Sequence, residues 1–216
     1  MHRILEVERK FISRGASAFL HNKGPPPFRS IEFCGHEEFT DTYYDRANRL
    51  RLAGIYVRQR DSTWEAKIKK GGCFINSQFE ETSSIPRIAK LVKEVAEVTN
   101  GLAPATTFGL DVFAKVRTSR MRWKADQEFS IVLDTTDFGH EVGEVEIQRE
   151  FPAQTSPAIE QTMRQELDTR IQEFMARYQW AFPVGQPKGK LSAYFEWKKE
   201  RERERTPLLG TVSTRG

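Results

Sequence analysis

The sequence predicts an α+β protein of antiparallel strands with helices packed outside them, and three observations carry that prediction. Apolar and charged residues alternate with the period of a strand in segment after segment, beginning with Leu5, Val7 and Phe11 against Glu6, Glu8 and Lys10. Turn sequences separate these segments, and Asp61-Ser62-Thr63 joins two of them at hairpin spacing. Apolar residues recur at helical spacing in two longer stretches: Ile88, Leu91, Val92 and Val95, then Ile159, Met163, Leu167, Ile171, Phe174, Met175 and Tyr178. A sheet with so many ionised side chains on one face must either leave that face in water or close so that the charges line a lumen. The alternation serves an open sheet and a closed barrel equally well.

Taken in order, residues 4–12 read as the first strand, with Arg9 the only charge on its apolar face. Ser13-Arg14-Gly15 ends it, and residues 16–21 fit a short helix before the loop at Gly24-Pro25-Pro26-Pro27. Residues 30–33 and 39–44 read as two strands, followed by a turn at residues 45–49. The hairpin comes next. Arg58 and Arg60 share one parity of its first strand, and Glu65, Lys67 and Lys69 oppose Trp64, Ala66 and Ile68 in its second. Residues 73–80 begin another strand with Gln78 and Glu80 on its polar parity. Ser84-Ile85-Pro86 supplies a helix start and Asn100-Gly101 a stop. Four strands are then expected at residues 107–117, 119–124, 128–134 and 142–150, before Ser156-Pro157 opens the longest helix. The run from Lys198 to Arg205 suits a solvated helical extension.

Composition excludes several classes. With 216 residues, one domain is the leading expectation, and 38% hydrophobic against 30% charged residues describes a globular chain with a charged surface. No run of roughly 18 apolar residues is present, so no membrane span is expected. Charges at Glu6, Glu8, Arg9 and Lys10 arrive before a signal-like apolar region, which makes the cytoplasm the default compartment. Cys34 and Cys73 lack any metal-ligand spacing, and a chain of this size needs no disulfide. The pI near 9.1 would suit a polyanion. Acids interleave with the bases on the same strand faces, however, which argues against nucleic acid and for a small polyanion bridged by metal ions. His2, His21, His36 and His140 are scattered, and Asp137-Phe138-Gly139 has no kinase context.

The ordered strings Glu6-Val7-Glu8-Arg9-Lys10, Asp41-Thr42-Tyr43-Tyr44-Asp45, Val57-Arg58-Gln59-Arg60, Trp64-Glu65-Ala66-Lys67, Leu133-Asp134-Thr135-Thr136-Asp137-Phe138-Gly139 and Val142-Gly143-Glu144-Val145-Glu146 together resemble a known family. It is the CYTH superfamily of triphosphate tunnel enzymes, and within it the thiamine triphosphatases. The resemblance runs from about residue 3 to about residue 195, and the opening E-x-E-x-K is the superfamily's signature. It implies an antiparallel eight-stranded β-barrel with helices outside, over residues 1–197, and residues 198–216 as a charged, disordered tail.

The resemblance also implies a chemistry. Glu6, Glu8, Asp134, Glu144 and Glu146 would hold Mg2+, with Mn2+ as the alternative, because carboxylate oxygens are the hard donors those ions prefer. Lys10, Arg58, Arg60 and Lys67 would bind the triphosphate with Lys190 and with Arg120 or Arg122, which share a parity. Lys188 competes with Lys190, but Leu191, Ala193 and Phe195 follow Lys190 as the family pattern requires. Glu6, Glu8, Lys10, Glu144 and Glu146 would then carry the attack of water on the terminal phosphorus. An inorganic triphosphatase, a class IV-like adenylyl cyclase or a non-catalytic polyphosphate binder are the alternatives, and the complete acidic set weighs against the last. The sequence departs from vertebrate-type thiamine triphosphatases at Tyr56, where a tryptophan is expected to stack on the organic group. A monomer with no nucleic-acid or membrane partner is expected.

Overall fold

The computed structural model describes residues 2–152 and 154–205. In chain order they form β1 (His2–Phe11), α1 (Ser17–His21), β2 (Ile31–Asp45), α2 (Arg49–Leu52), β3 (Ile55–Arg60), β4 (Thr63–Gly72), β5 (Asn76–Thr82), α3 (Ile85–Val95), β6 (Asp111–Ala125), β7 (Phe129–Thr136), β8 (Glu141–Pro152), α4 (Pro157–Arg177) and α5 (Lys190–Arg205). A short 3-10 segment over Pro104–Gly109, kinked at Thr106, Thr107 and Phe108, leads into β6. The strands close in the ring order β1-β5-β4-β3-β2-β6-β7-β8, every neighbouring pair antiparallel, with β8 returning to β1. Closure decides between the two arrangements that the alternation allowed: the ionised face is the lumen and the apolar face points outward.

Two apolar cores lie on the outside of this barrel. The larger joins Leu5, Val7 and Phe11 of β1 and the outward residues of β6, β7 and β8 to Phe19 of α1 and to Leu167, Ile171 and Phe174 of α4. The second packs Ile55, Val57, Trp64 and Ala66 against Leu50 of α2 and Ile88 and Val92 of α3. Arg9 no longer interrupts the apolar face of β1 without a reason, because its Nη2 donates to Asp168 of α4 at 3.0 Å. Glu80, on the outer face of β5, fills the gap between α3 and α4 with an ion cluster: it pairs with Arg3, Lys70 and Arg87 and has no exposed surface.

Several boundaries differ from the sequence reading. The strands expected at 30–33 and 39–44 are one strand, β2, with a bulge between Phe33 and Gly35, and the pair expected at 107–117 and 119–124 is the single strand β6. On β5 the parity is reversed: Ser77, Phe79 and Glu81 line the lumen and Glu80 does not. Ile159 is exposed rather than part of the helical stripe, because the first turn of α4 presents Glu160 to Arg3 instead. Ser156 caps α4 by accepting from the Ile159 N–H, whereas Ser84 has the extended N-cap conformation without a side-chain bond. The charge run from residue 198 to 205 continues α5 as a helical extension. The disorder expected for 206–216 lies outside the described residues. Among the described residues, no helix is long and apolar enough to cross a membrane.

Candidate active site

The register between β1 and β8 builds the centre of the site. It sets Lys10 opposite Glu144, Glu8 opposite Glu146 and Glu6 opposite Gln148, all facing the lumen. Lys10 pairs with Glu8 and lies 3.5 Å from Glu144. Glu8 and Glu146 are a like-charge pair across the ladder, an arrangement that costs stability unless something neutralises it. Carboxylate oxygens of Glu8, Glu144 and Glu146 all lie within 4.8 Å of one another. Among the described residues Glu146 accepts no hydrogen bond and forms no ion pair. Its carboxyl is pushed up to about 8 by burial and by Glu6, against the opposing pull of Arg120. A cluster of oxygen donors around an unpartnered acid fits a hard divalent cation such as Mg2+ or Mn2+.

Cations converge on this cluster from the rest of the ring. Arg58 and Arg60 project from β3, and Asp41 of β2 lies beneath both: Arg60 Nε and Nη2 donate to it at 2.8 and 3.0 Å, and Arg58 Nη1 at 3.4 Å. Lys67 of β4 donates to Glu6 at 2.6 Å, and its Nζ lies 2.8 Å from Glu81 and 3.7 Å from Glu8. Arg120 of β6 forks onto Asp134 of β7 at 2.6 and 2.7 Å, and Lys190, the first residue of α5, donates to the same carboxylate at 2.7 Å. Phe39 offers its ring to three of these cations, with Arg60 at 3.9 Å and Arg120 and Lys190 at 5.3 Å from its centroid. Burial opposes the charge on Lys67, yet Glu6, Glu81 and Glu8 hold its ammonium well above the ordinary range. Lys190 is pulled below its ordinary value by burial, against the pull of Asp134. Burial also works against the Asp134 carboxylate, but the hydrogen bond from Arg120 and the charge of Lys190 keep it well below the usual carboxylate range.

The cavity enclosed by these walls measures about 550 Å³. Glu6, Glu8, Lys10, Tyr56, Arg58, Arg60, Lys67, Arg120, Arg122, Glu144, Glu146 and Lys190 all line it, so the residues singled out from the sequence are gathered in one place. Asp134 stands apart, buried behind Arg120. Arg122 lines the mouth, half exposed and paired with Glu37 at 2.6 Å, whereas Arg120 is buried. Lys188 points away to Glu196 at 2.5 Å.

A CYTH domain model matches residues 5–178 of this sequence. The chain belongs to the CYTH family. It is 32% identical over 182 residues to the human thiamine-triphosphatase, covering 74% of this chain and 75% of that one. The thiamine-triphosphatase of Macaca fascicularis is 30% identical over 179 residues, with the same coverage of both chains. Among solved structures, a conserved hypothetical protein from Pyrococcus furiosus covers 87% of this chain and 98% of its own at 17% identity, with a TM-score of 0.49.

Within this CYTH tunnel stand several residues that the sequence reading gave no part in the site. Asp41, Phe39, Tyr43, Glu81 and Gln148 each face the cation and carboxylate network. Asp41 and Tyr43 stood in a quoted string, and their common parity was the available signal. Glu81 was hidden by the parity assigned to β5. Tyr56 meets Phe79 edge to face with centroids 6.2 Å apart, so an aromatic pair forms part of the cavity lining.

Proposed function

We propose that this CYTH protein hydrolyses the terminal phosphoanhydride of thiamine triphosphate to give thiamine diphosphate and phosphate, acting as a monomer with Mg2+ or Mn2+. The observation that carries the reading is the cluster of Glu8, Glu144 and Glu146 set directly against Lys10, with Arg58, Arg60, Lys67, Arg120 and Lys190 on the surrounding walls. A divalent ion held by Glu8, Glu144 and Glu146, with Glu6 beside them, would supply charge neutralisation for the triphosphate and acidify a bound water, while Asp134 anchors Arg120 and Lys190 behind the cavity wall. Phosphoryl transfer needs positioning and charge stabilisation more than covalent help. The arginine forks and lysine ammonium groups bind the phosphate oxygens and hold the chain along the tunnel. As water adds to the terminal phosphorus and the bridging P–O bond breaks, Glu144 and Glu146 orient that water and take its proton. Arg120 and Lys190 receive the charge that collects on the transferred group.

Tyr56 and Phe79 give the organic part of the substrate an aromatic face. Tyrosine offers less area than tryptophan, so stacking and cation–π attraction to a thiazolium should contribute about 0.5–2 kcal/mol. Assay of the purified protein with Mg2+ and a panel of thiamine triphosphate, tripolyphosphate, ATP and long-chain polyphosphate should show preference for the first. Tyr56→Ala should raise KM for thiamine triphosphate and leave that for tripolyphosphate nearly unchanged, whereas Tyr56→Trp should lower only the first. An inorganic triphosphatase takes its place if tripolyphosphate is the better substrate and Tyr56→Ala affects both alike.

A further inference from the structure

Gln148 is the inward residue of the β1–β8 pair to which the proposed reaction gives no part. The inward faces of the two strands carry Glu6, Glu8, Lys10 and Glu144, Glu146, Gln148, and the antiparallel register runs them head to tail. Each strand therefore sets a hydrogen-bond donor across from the first glutamate of the other strand's E-x-E pair. At one end the donor is charged, with Lys10 Nζ 3.5 Å from Glu144. At the other it is neutral: Gln148 Nε2 donates to Glu6 Oε2 at 2.7 Å and lies 3.5 Å from Glu81 Oε2. An amide between two carboxylates must turn its NH2 toward them, because ionised carboxylate oxygens only accept. Glu6 Oε1 is taken by Lys67 at 2.6 Å. Both oxygens of Glu6 are thus fixed, one by a cation and one by a neutral donor.

That neutrality has a chemical consequence. A second ammonium on Glu6 would cancel the negative charge that a divalent ion needs, and an apolar side chain would leave Oε2 free to turn away. The amide orients the carboxylate without subtracting charge. We infer that Gln148 is a positioning residue for the carboxylate cluster, fixing Glu6 beside Glu8 and Glu146 and keeping the open end of the tunnel negative, so that the donor at this position sets the affinity for a divalent cation. The inference rests on the metal-dependent reading of the tunnel. Gln148 is exposed at the mouth, so substitutions there leave both cores untouched.

The test is titration of Mn2+ alone into the full-length protein, the free ion followed by its paramagnetic resonance signal. Gln148→Met keeps the chain length and loses the donor; it should weaken Mn2+ binding about tenfold, in the range found when a metal ligand loses its outer hydrogen bond. Gln148→Lys should weaken it further, by an amount that shrinks as salt is raised. Its affinity for tripolyphosphate without metal should hold or rise, which a merely structural role for the side chain would not produce. Equal Mn2+ affinities in the wild type and both variants would overturn the positioning role and leave the metal-dependent reading in place. A wild type that takes up no Mn2+, with or without tripolyphosphate, would overturn both.

Discussion

Glu146→Gln is expected to abolish turnover and, at the same time, to stabilise the metal-free protein. The two effects have one origin, the burial that pushes this carboxyl up to about 8 with Glu6 adding to it. Between the ordinary carboxylate range and pH 8 the unfolded chain has ionised Glu146 while the folded chain keeps it protonated. The folded state therefore binds more protons, and wild-type stability falls as pH rises through that window and levels off above it. Glutamine removes this pH-dependent loss. The gain in thermal midpoint should grow from pH 5 to pH 8, and saturating Mg2+ should raise the midpoint of the wild type but not of the variant. A variant with near wild-type turnover under saturating Mg2+ would remove Glu146 from the metal site. A stability difference independent of pH would mean that its carboxyl is ionised in the folded protein.

Glu80→Ala should have the largest effect on folding while sparing the chemistry. The carboxylate has no exposed surface and holds Lys70 at 2.8 Å, Arg3 at 3.2 Å and Arg87. Arg3 in turn reaches Glu160 of α4 at 3.2 Å and lies over the Phe151 ring at 4.4 Å. Removing this acid leaves Arg3 and Lys70 with Glu160 alone and takes from Arg87 its ion-pair partner, and breaking a buried ionic network in this way costs about 3–5 kcal/mol. In a chain of this size that lowers the thermal midpoint by about 10 °C. Below the transition, turnover should persist, since the side chain faces away from the lumen. Urea unfolding that places Glu80→Ala within about 0.5 kcal/mol of the wild type would show that water, not Glu80, satisfies these cations.

What the sequence revealed depended on whether only one face of a strand was polar. In β1 and β8 the alternation is clear, with Leu5, Val7, Val145 and Ile147 outward and Arg9 and Arg149 as the exceptions, so their acids could be assigned to a common face. β5 carries ions on both faces, because its outer side bears the Glu80 cluster that reaches Arg87 of α3 and, through Arg3, Glu160 of α4, so its parity was ambiguous and Glu81 went unseen. The middle of β2 is polar on both sides, as His36, Glu37 and Glu38 are exposed to solvent and paired with β6, and it looked like a gap between strands. Closure itself left no mark in the period-two pattern. The placement of Asp41 under Arg58 and Arg60 depended on the β2–β3 register, and the path of Lys190 into the lumen depended on where α5 begins. Neither is a property of local sequence.

The seam between β1 and β8 also bears on how the chain folds. Gln148 and Glu6 touch although they are 142 positions apart in the chain, whereas the β3–β4 and β6–β7 pairings form between strands joined by short turns. Zipping the first strand to the last pays the greatest loop-closure entropy in the ring, and such non-local pairing slows folding. It also forces Glu8 against Glu146, so that electrostatic repulsion and chain entropy oppose the same step. A cation at that cluster would act as a clasp on the seam: it would favour the closed ring over any form in which the N-terminal strand has peeled away, and amide exchange along β1 should slow when it binds.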